Sequence, residues 1–178
     1  MDGQKKNIIL IGFMGSGKTT TGISLSYKLR CELLDTDKMI ERQEGRSISD
    51  IFASEGEEGF REKETELLKN LKKNAHRQIY SVGGGTPLRE ENRRLLGKLG
   101  IVVYLKASPK TVYERLKGDV TRPLLQVEDP LEEIQTLLRE REELYREAAD
   151  IVVCVDAKKP TQVVKEIMEA LRQKGEEL

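Results

Sequence analysis

Short apolar runs alternate along the chain with longer, charged segments. The runs are rich in β-branched residues and occupy positions 8–11, 32–34, 79–82, 101–105 and 151–155. The segments between them show the helical apolar period. Runs that are apolar at every position are typical of parallel strands covered by helices on both faces. The pattern therefore predicts an α/β fold in which strands and helices alternate.

Two segments near the C-terminal half need separate interpretation. A segment that opens at Pro160 places five apolar side chains on one helical stripe, which predicts a packing helix; they are Val163, Val164, Ile167, Met168 and Leu171. Residues 118–129 have no clear helical or strand period. They could form a mobile lid or an ordinary surface connection, and the length of the segment does not decide between them.

Composition limits the classes of protein that remain. The 178 residues fit one domain, 1–178, and 31 basic residues balance 31 acidic ones, so no general attraction to nucleic acid or an anionic membrane is expected. No apolar stretch approaches the roughly 18 residues of a spanning helix. Cys31 and Cys154 lack metal-type spacing, which predicts reduced, buried thiols. Residues 8–14 imitate the start of a signal peptide but show no small-residue cleavage pattern, which predicts a cytoplasmic protein.

The strongest motif follows the first apolar run. Gly-Phe-Met-Gly-Ser-Gly-Lys-Thr at 12–19 matches the phosphate-binding loop, here called the P-loop. Its glycines let backbone N–H groups face a polyphosphate, Lys18 would reach the terminal phosphates, and the Thr19 hydroxyl suits Mg²⁺. The guanine-reading and switch motifs of common GTPases are missing from the sequence, so ATP is the expected nucleotide.

Two aspartates follow the second apolar run. In extended geometry Asp35 and Asp37 leave the same face about 7 Å apart, at the sheet edge where ligands of open α/β sheets bind. One could hold Mg²⁺ while the other takes up a proton from a substrate hydroxyl. The alternative is a helix N-cap, because a helical segment follows, and these residues alone leave the choice open.

Other candidate groups have simpler alternatives. Gly83, Gly84 and Gly85 follow the third run and indicate close approach of a ligand, rather than a plain connection. Local spacing favours a solvated ion pair for Arg61, and Arg141 is treated the same way. Arg122 lies in the candidate lid, where it could cover a transferring phosphate or remain an exposed loop arginine.

Taken in order, these motifs resemble the shikimate kinase family over essentially the full chain. They are the P-loop, Asp35-Thr36-Asp37, Gly-Glu-Glu-Gly-Phe-Arg-Glu-Lys-Glu from Gly56, Gly-Gly-Gly from Gly83, Arg122-Pro-Leu-Leu, and Arg141 ahead of Leu144-Tyr145. The resemblance implies a three-layer P-loop kinase with a five-stranded parallel sheet in the order 2-3-1-4-5. It also implies a substrate-binding segment near 37–64, a lid near 117–129, and ATP-dependent phosphorylation of the 3-hydroxyl of shikimate in aromatic amino-acid biosynthesis.

The resemblance assigns roles to individual residues. For catalysis it implies Lys18, Asp37 and Arg122, and for Mg²⁺ it implies Thr19 and Asp35. The residues implied for ATP are Gly15, Ser16, Gly17, Lys18, Thr19, Thr20, Arg115, Arg122 and Pro160. Those implied for shikimate are Asp37, Phe60, Arg61, Glu64, Gly83, Gly84, Gly85 and Arg141, with both arginines on its carboxylate, a role that replaces the solvated ion pair.

Two rival functions remain at this point. One is a kinase for another small molecule on the same scaffold, such as gluconate or a nucleotide. The other is a non-catalytic module gated by ATP, although such a module has no need of Lys18, Asp37 and Arg122 together. The polar surface predicts a monomer.

Overall fold

A five-stranded parallel sheet forms the centre of the computed structural model, which describes residues 6–71, 77–119 and 125–178. Its strands lie in the order β2-β3-β1-β4-β5, which confirms the expected fold class and topology. Their bounds are β1 Asn7–Ile11, β2 Leu33–Asp35, β3 Ile79–Ser81, β4 Gly100–Lys106 and β5 Ile151–Cys154.

Helices cover both faces of this sheet. In the described ranges they are α1 Lys18–Leu29, α2 Thr36–Glu44, α3 Ile48–Asn70, α4 Glu90–Leu99, α5 Pro109–Leu116, α6 Pro130–Ala148 and α7 Pro160–Gln173. From β1 the chain crosses the sheet in one direction to reach β2, and from β3 it crosses in the other direction to reach β4. Right-handed crossovers therefore place α1 and α4 on opposite faces. Accordingly, α1 packs with α7 and α4 packs with α6. None of these helices has the length and apolar character needed to cross a membrane.

Strand β1 lies at the middle of the core. All five of its residues are buried, and it pairs with β3 on one edge and β4 on the other. Asn7 is polar, yet its Nδ2 donates to the Leu99 carbonyl at 3.1 Å and its Oδ1 accepts from the Gln78 N–H at 3.0 Å. Because both ends of the amide are satisfied, its burial is tolerated, and the strand begins one residue before the apolar run.

A second, smaller apolar cluster joins α2 to α3. Ile40, Ile51, Phe60 and Leu67 form its buried centre. Within α3 the backbone leaves helical geometry at Gly56, where φ is 71° and ψ is −177°, a conformation that glycine adopts without a steric penalty. This kink separates the first turns of α3 from the part that carries Arg61.

Strand β5 differs from the expected pattern of full burial. It lies at the edge of the sheet, and its residues alternate between buried and exposed. Cys154 is therefore exposed and Cys31 is partly buried, so the prediction of two buried thiols was wrong, although both are free of disulfides as expected. An apolar run alone cannot distinguish a strand covered on both faces from an edge strand.

Two glycines three residues apart, Gly97 and Gly100, allow a matched test of packing where β4 begins. At Gly100 a β-carbon would overlap the Asn7 carbonyl oxygen, whereas at the exposed Gly97 it would meet nothing within 4 Å. We expect Gly100→Ala to lower the free energy of unfolding by about 1–3 kcal/mol. Gly97→Ala should raise it by about 0.5–1 kcal/mol, because alanine favours the helix.

Urea denaturation of both variants beside the parent protein measures these changes. Equal stability of the two variants would contradict the tight approach of β1 and β4 at this position.

Candidate active site

The P-loop lies between β1 and α1 at the carboxyl edge of the sheet. Its glycines have positive φ angles of 151° at Gly12, 76° at Gly15 and 90° at Gly17, which other residues rarely adopt. Lys18 Nζ folds back over the loop and donates to the carbonyl oxygens of Gly12 at 2.7 Å and Phe13 at 3.1 Å. The N-terminus of α1 faces the same space.

Close packing explains why the first P-loop position must be glycine. A β-carbon at Gly12 would lie 2.7 Å from the Leu105 carbonyl oxygen and 2.7 Å from Ser16 Oγ. The Ser16 hydroxyl is buried, and in the described part of the chain it has no hydrogen-bond partner. A buried polar atom without a partner is costly unless a ligand satisfies it, so the loop fits a phosphate chain.

A cleft of about 410 Å³, here called the main cleft, opens beside the P-loop. The structure brings residues from three strand ends together around it, as expected for parallel strands. They include the P-loop residues Gly15, Gly17, Lys18 and Thr19, Thr20 of α1, the aspartates Asp35 and Asp37, and Gly83 and Gly84. Met14 of the P-loop, Ser81, Val82 and Leu116 complete the lining; none of them was a candidate binding residue, because apolar and small side chains carry no distinctive chemistry or spacing.

Asp35 is the N-cap of α2 and also lines the main cleft. It ends β2 and caps α2, because its Oδ1 accepts from the Asp37 N–H at 2.9 Å and from the Lys38 N–H at 3.2 Å. Both bonds use Oδ1, and the residue still lines the main cleft with Thr19. A carboxylate beside a hydroxyl suits the oxygen ligands that Mg²⁺ prefers, so this pair fits the expected ion.

Asp37 is the least satisfied carboxylate of the main cleft. Its Oδ1 is buried, and no described residue donates a hydrogen bond to it. Burial raises the pKa of Asp37 to about 6, and the negative charges of Asp35 and Glu64 add to the increase. Lys18 and Arg61 oppose it. A buried carboxylate with a free oxygen is suited to accept a proton or a hydrogen bond from a bound hydroxyl.

Arg61 makes the ion pairs predicted from its spacing, but its surroundings differ. Its guanidinium pairs with Glu64 at 2.7 Å and with Glu57 at 3.3 Å. The side chain is only 13% exposed, so the solvated helix face that local spacing favoured is not what the structure shows. A β-carbon at Gly85 would overlap the guanidinium, which places Arg61 directly against the glycine turn, residues 83–85. Local spacing cannot reveal this contact.

Phe60 also contacts Arg61. It belongs to the buried α2–α3 cluster, and its ring centroid is 4.9 Å from that of Phe52. The Arg61 guanidinium carbon is 5.5 Å from the centroid of the Phe60 ring. Phe60 therefore stabilises the guanidinium by a cation–π contact.

Arg141 approaches from α6. Its guanidinium carbon is 5.4 Å from the centroid of the Phe13 ring in the P-loop. One turn later, the Tyr145 hydroxyl donates to the Gly84 carbonyl at 2.6 Å. Burial raises the pKa of Tyr145, and the positive charges of Arg141 and Arg61 oppose the increase, so both arginines lie near this hydroxyl.

Tyr145 had no assigned role in the sequence interpretation. Its spacing of four residues from Arg141 could have placed both on one helix face.

A second hollow, of about 350 Å³, lies on the far side of the P-loop. Arg115 and Pro160 line it together with Ser16, Lys158 and Val163. Gly15, Gly17 and Thr20 line both spaces. The Arg115 guanidinium also donates to the Gly15 carbonyl at 3.1 Å. An adenine base held between Arg115 and Pro160 would thus lie close enough to join phosphates bound in the P-loop.

The predicted lid is described only in part. Residues 117–119 and 125–129 flank a stretch, 120–124, that lies outside the described residues. Arg122 falls in that stretch, so its placement over a phosphate stays a prediction from the sequence.

Comparison with known proteins identifies the family. A family model described as shikimate kinase matches residues 14–172. The chain belongs to the shikimate kinase family. A shikimate kinase from Symbiobacterium thermophilum is 43% identical over 172 residues, which cover 96% of this chain and 98% of the relative. Another, from Deinococcus radiodurans, is 48% identical over 164 residues, which cover 92% and 82%.

A solved shikimate kinase shares this fold closely. The enzyme from Acinetobacter baumannii, in complex with shikimate, is 38% identical and superposes with a TM-score of 0.87, covering 96% of this chain and 94% of that one. The resemblance drawn from the ordered motifs is thereby confirmed. Membership of the shikimate kinase family argues against both rivals, a gluconate or nucleotide kinase and a non-catalytic module.

We expect the folded protein to become more stable when the negative charge of Asp37 is removed. Because its pKa is raised from 3.8 to about 6, the folded protein binds the proton more tightly than the unfolded chain does. The free energy of unfolding therefore falls as pH rises through this range. We expect Asp37→Asn to gain roughly 1–3 kcal/mol at pH 7.5 and almost nothing at pH 4.

Asp50→Asn is the matched control, since Asp50 also lies in the first turn of a helix, α3, but is exposed. It should lose at most a few tenths of a kcal/mol at pH 7.5. Urea denaturation at both pH values provides the measurement, and an Asp37→Asn gain that is equal at pH 4 and 7.5 would contradict the assignment.

Proposed function

We propose that this chain transfers the γ-phosphoryl group of ATP to the 3-hydroxyl of shikimate, giving shikimate 3-phosphate. The observation that carries the proposal is a single cleft in which the P-loop meets Asp37 and the glycine turn, with the Arg61 guanidinium packed against that turn. A nucleotide tail and a small anionic alcohol can therefore meet at adjacent sites.

ATP is held along the P-loop in this proposal. Arg115 and Pro160 flank the adenine, the loop amides and the Ser16 hydroxyl bind the phosphates, and Lys18 exchanges its carbonyl contacts for the terminal phosphates. Thr19 and Asp35 hold Mg²⁺, which supplies neutralisation of phosphate charge. Arg122 adds a further positive charge at the transferring group.

Shikimate occupies the space bounded by the glycine turn, α3 and α6. The guanidinium groups of Arg61 and Arg141 bind its carboxylate, because their paired donors match two carboxylate oxygens. Phe60 and Glu64 hold the Arg61 guanidinium in place, and the glycines at 83–85 allow the shikimate ring to approach the backbone.

The reacting hydroxyl donates to Asp37 Oδ1, which is left without a partner among the described residues. At neutral pH a group with a pKa of about 6 is mostly ionised and can accept the proton as the phosphoryl group arrives. Positioning and charge neutralisation supply most of the catalysis, since phosphoryl transfer needs little covalent chemistry from the protein.

The larger organisation follows from these roles. We propose that residues 37–64 form the substrate-binding segment of a single domain, 1–178, and that residues 117–129 form its lid. A monomer is consistent with the exposed surface, where few large apolar side chains of the described residues appear. Two free thiols and the need for ATP support a cytoplasmic location.

A substrate panel tests the function directly. ATP consumption is measured with shikimate, gluconate and a nucleoside monophosphate as separate acceptors, and the product is identified by mass. Turnover with shikimate alone is expected. Preference for either other acceptor would overturn the proposal, and replacing ATP by GTP tests the choice of nucleotide.

Loss of either central group should abolish turnover and spare the fold. Lys18→Met removes the ammonium over the P-loop, and Asp37→Asn removes the proton acceptor. We expect each to lower kcat at least about 100-fold, with circular dichroism unchanged because both groups line a cleft. A near-normal kcat in either variant would refute the corresponding role.

Arg61→Lys tests recognition of the substrate carboxylate. One ammonium cannot reproduce two parallel N–H bonds, so the KM for shikimate should rise by about tenfold, with the KM for ATP little changed. Arg94→Lys is the matched control, since Arg94 pairs with Glu90 on an exposed helix face. Equal KM values for shikimate in the two variants would mean that Arg61 does not bind the substrate.

A further inference from the structure

A buried polar network connects α3 to the segment that follows the glycine turn. Glu64 is at its centre, and only 2% of its side chain is exposed. Its Oε2 accepts from Arg61 Nη1 at 2.7 Å, and its Oε1 accepts from the Thr86 hydroxyl at 2.6 Å. Each carboxylate oxygen is therefore fixed by a donor from a different part of the chain, one within α3 and one beyond β3.

Asn92 in α4 closes the network from the other side. It has no exposed surface. Its Nδ2 donates to the Thr86 carbonyl at 2.9 Å, and its Oδ1 lies 2.7 Å from the Thr65 hydroxyl. That hydroxyl is also 3.0 Å from the Arg61 carbonyl oxygen. The contacts thus run from the Arg61 side chain through Glu64, Thr86, Asn92 and Thr65 back to the Arg61 backbone.

This closed ring of contacts limits the distance between α3 and the glycine turn more closely than apolar packing alone would. The Arg61 guanidinium lies so close to Gly85 that a β-carbon there would overlap it. Because Arg61 belongs to α3, a small movement of this helix away from the glycine turn would carry the guanidinium with it. Directional hydrogen bonds resist such movement, whereas apolar contacts are non-directional.

We propose that Thr86 and Asn92 are positioning residues for the anionic substrate. They fix Glu64, and through Glu64 the Arg61 guanidinium, beside the glycine turn. Neither side chain lines the main cleft, so their effect on the substrate is transmitted through Arg61. The inference rests on the proposed function, because it takes Arg61 as a ligand of the shikimate carboxylate.

The test removes one hydroxyl and keeps the shape of the side chain. Thr86→Val deletes the donor to Glu64, and Thr86→Ser retains it. We expect Thr86→Val to raise the KM for shikimate by about tenfold, the value typical of one lost hydrogen bond to a charged group. The kcat and the KM for ATP should change less than about twofold, and Thr86→Ser should behave like the parent protein.

Thr65→Val supplies an independent variant, because it breaks the link between Asn92 and α3 without touching Glu64. It should raise the KM for shikimate in the same direction, so the proposal stays testable if Thr86→Val fails to fold. Ile167→Val, a core change in α7, controls for lost stability and should leave both KM values unchanged.

The outcomes separate this inference from the proposed function. An active parent enzyme whose KM for shikimate is unchanged in Thr86→Val and Thr65→Val would overturn the positioning role alone. The same follows if kcat and both KM values change together, or if Thr86→Ser fails to restore the parent KM. A parent protein that does not phosphorylate shikimate would overturn both.

Discussion

The burial of β1 on both faces and its pairing on both edges determine where the chemistry of this protein lies. β3 and β4 hydrogen-bond to it in parallel, so the loops that leave these strands emerge at one edge. There the P-loop approaches both neighbours. A β-carbon at Gly12 would be 2.7 Å from the Leu105 carbonyl oxygen, and one at Gly84 would be 3.3 Å from the Gly12 carbonyl oxygen. The loops are thus mutually positioned by the sheet.

Electrostatics explain how this edge differs from the rest of the surface. Several ion pairs of the described residues, such as Lys69–Glu91 and Arg94–Glu90, join exposed helix residues, where water screens them and each contributes little. At the cleft, Glu64 is satisfied by Arg61 and Thr86, and Asp35 is satisfied by the start of α2. Asp37 Oδ1 has no such donor among the described residues, so a buried carboxylate oxygen is left there at a cost in stability, as is common at functional sites.

The sequence predicted the parts of the molecule that depend on local order. Strand runs, the P-loop and the i,i+3 partner of Arg61 all follow from periodicity or motif. What it could not predict depends on residues far apart in the chain. The contact between Arg61 and Gly85 joins α3 to a turn more than 20 residues away, and the edge position of β5 is a property of the whole sheet. The family resemblance supplied the role of Arg61, but not the ring of contacts that holds it.

The alternation along the edge strand leaves the two thiols chemically unequal. Cys154 is exposed, whereas burial raises the pKa of the partly buried Cys31, and thiolate is the reactive form of cysteine. A maleimide dye will consequently attach first at Cys154, one residue before Val155, which lines the second hollow. The protein thus carries one preferred attachment point for a fluorophore, with no cysteine engineering.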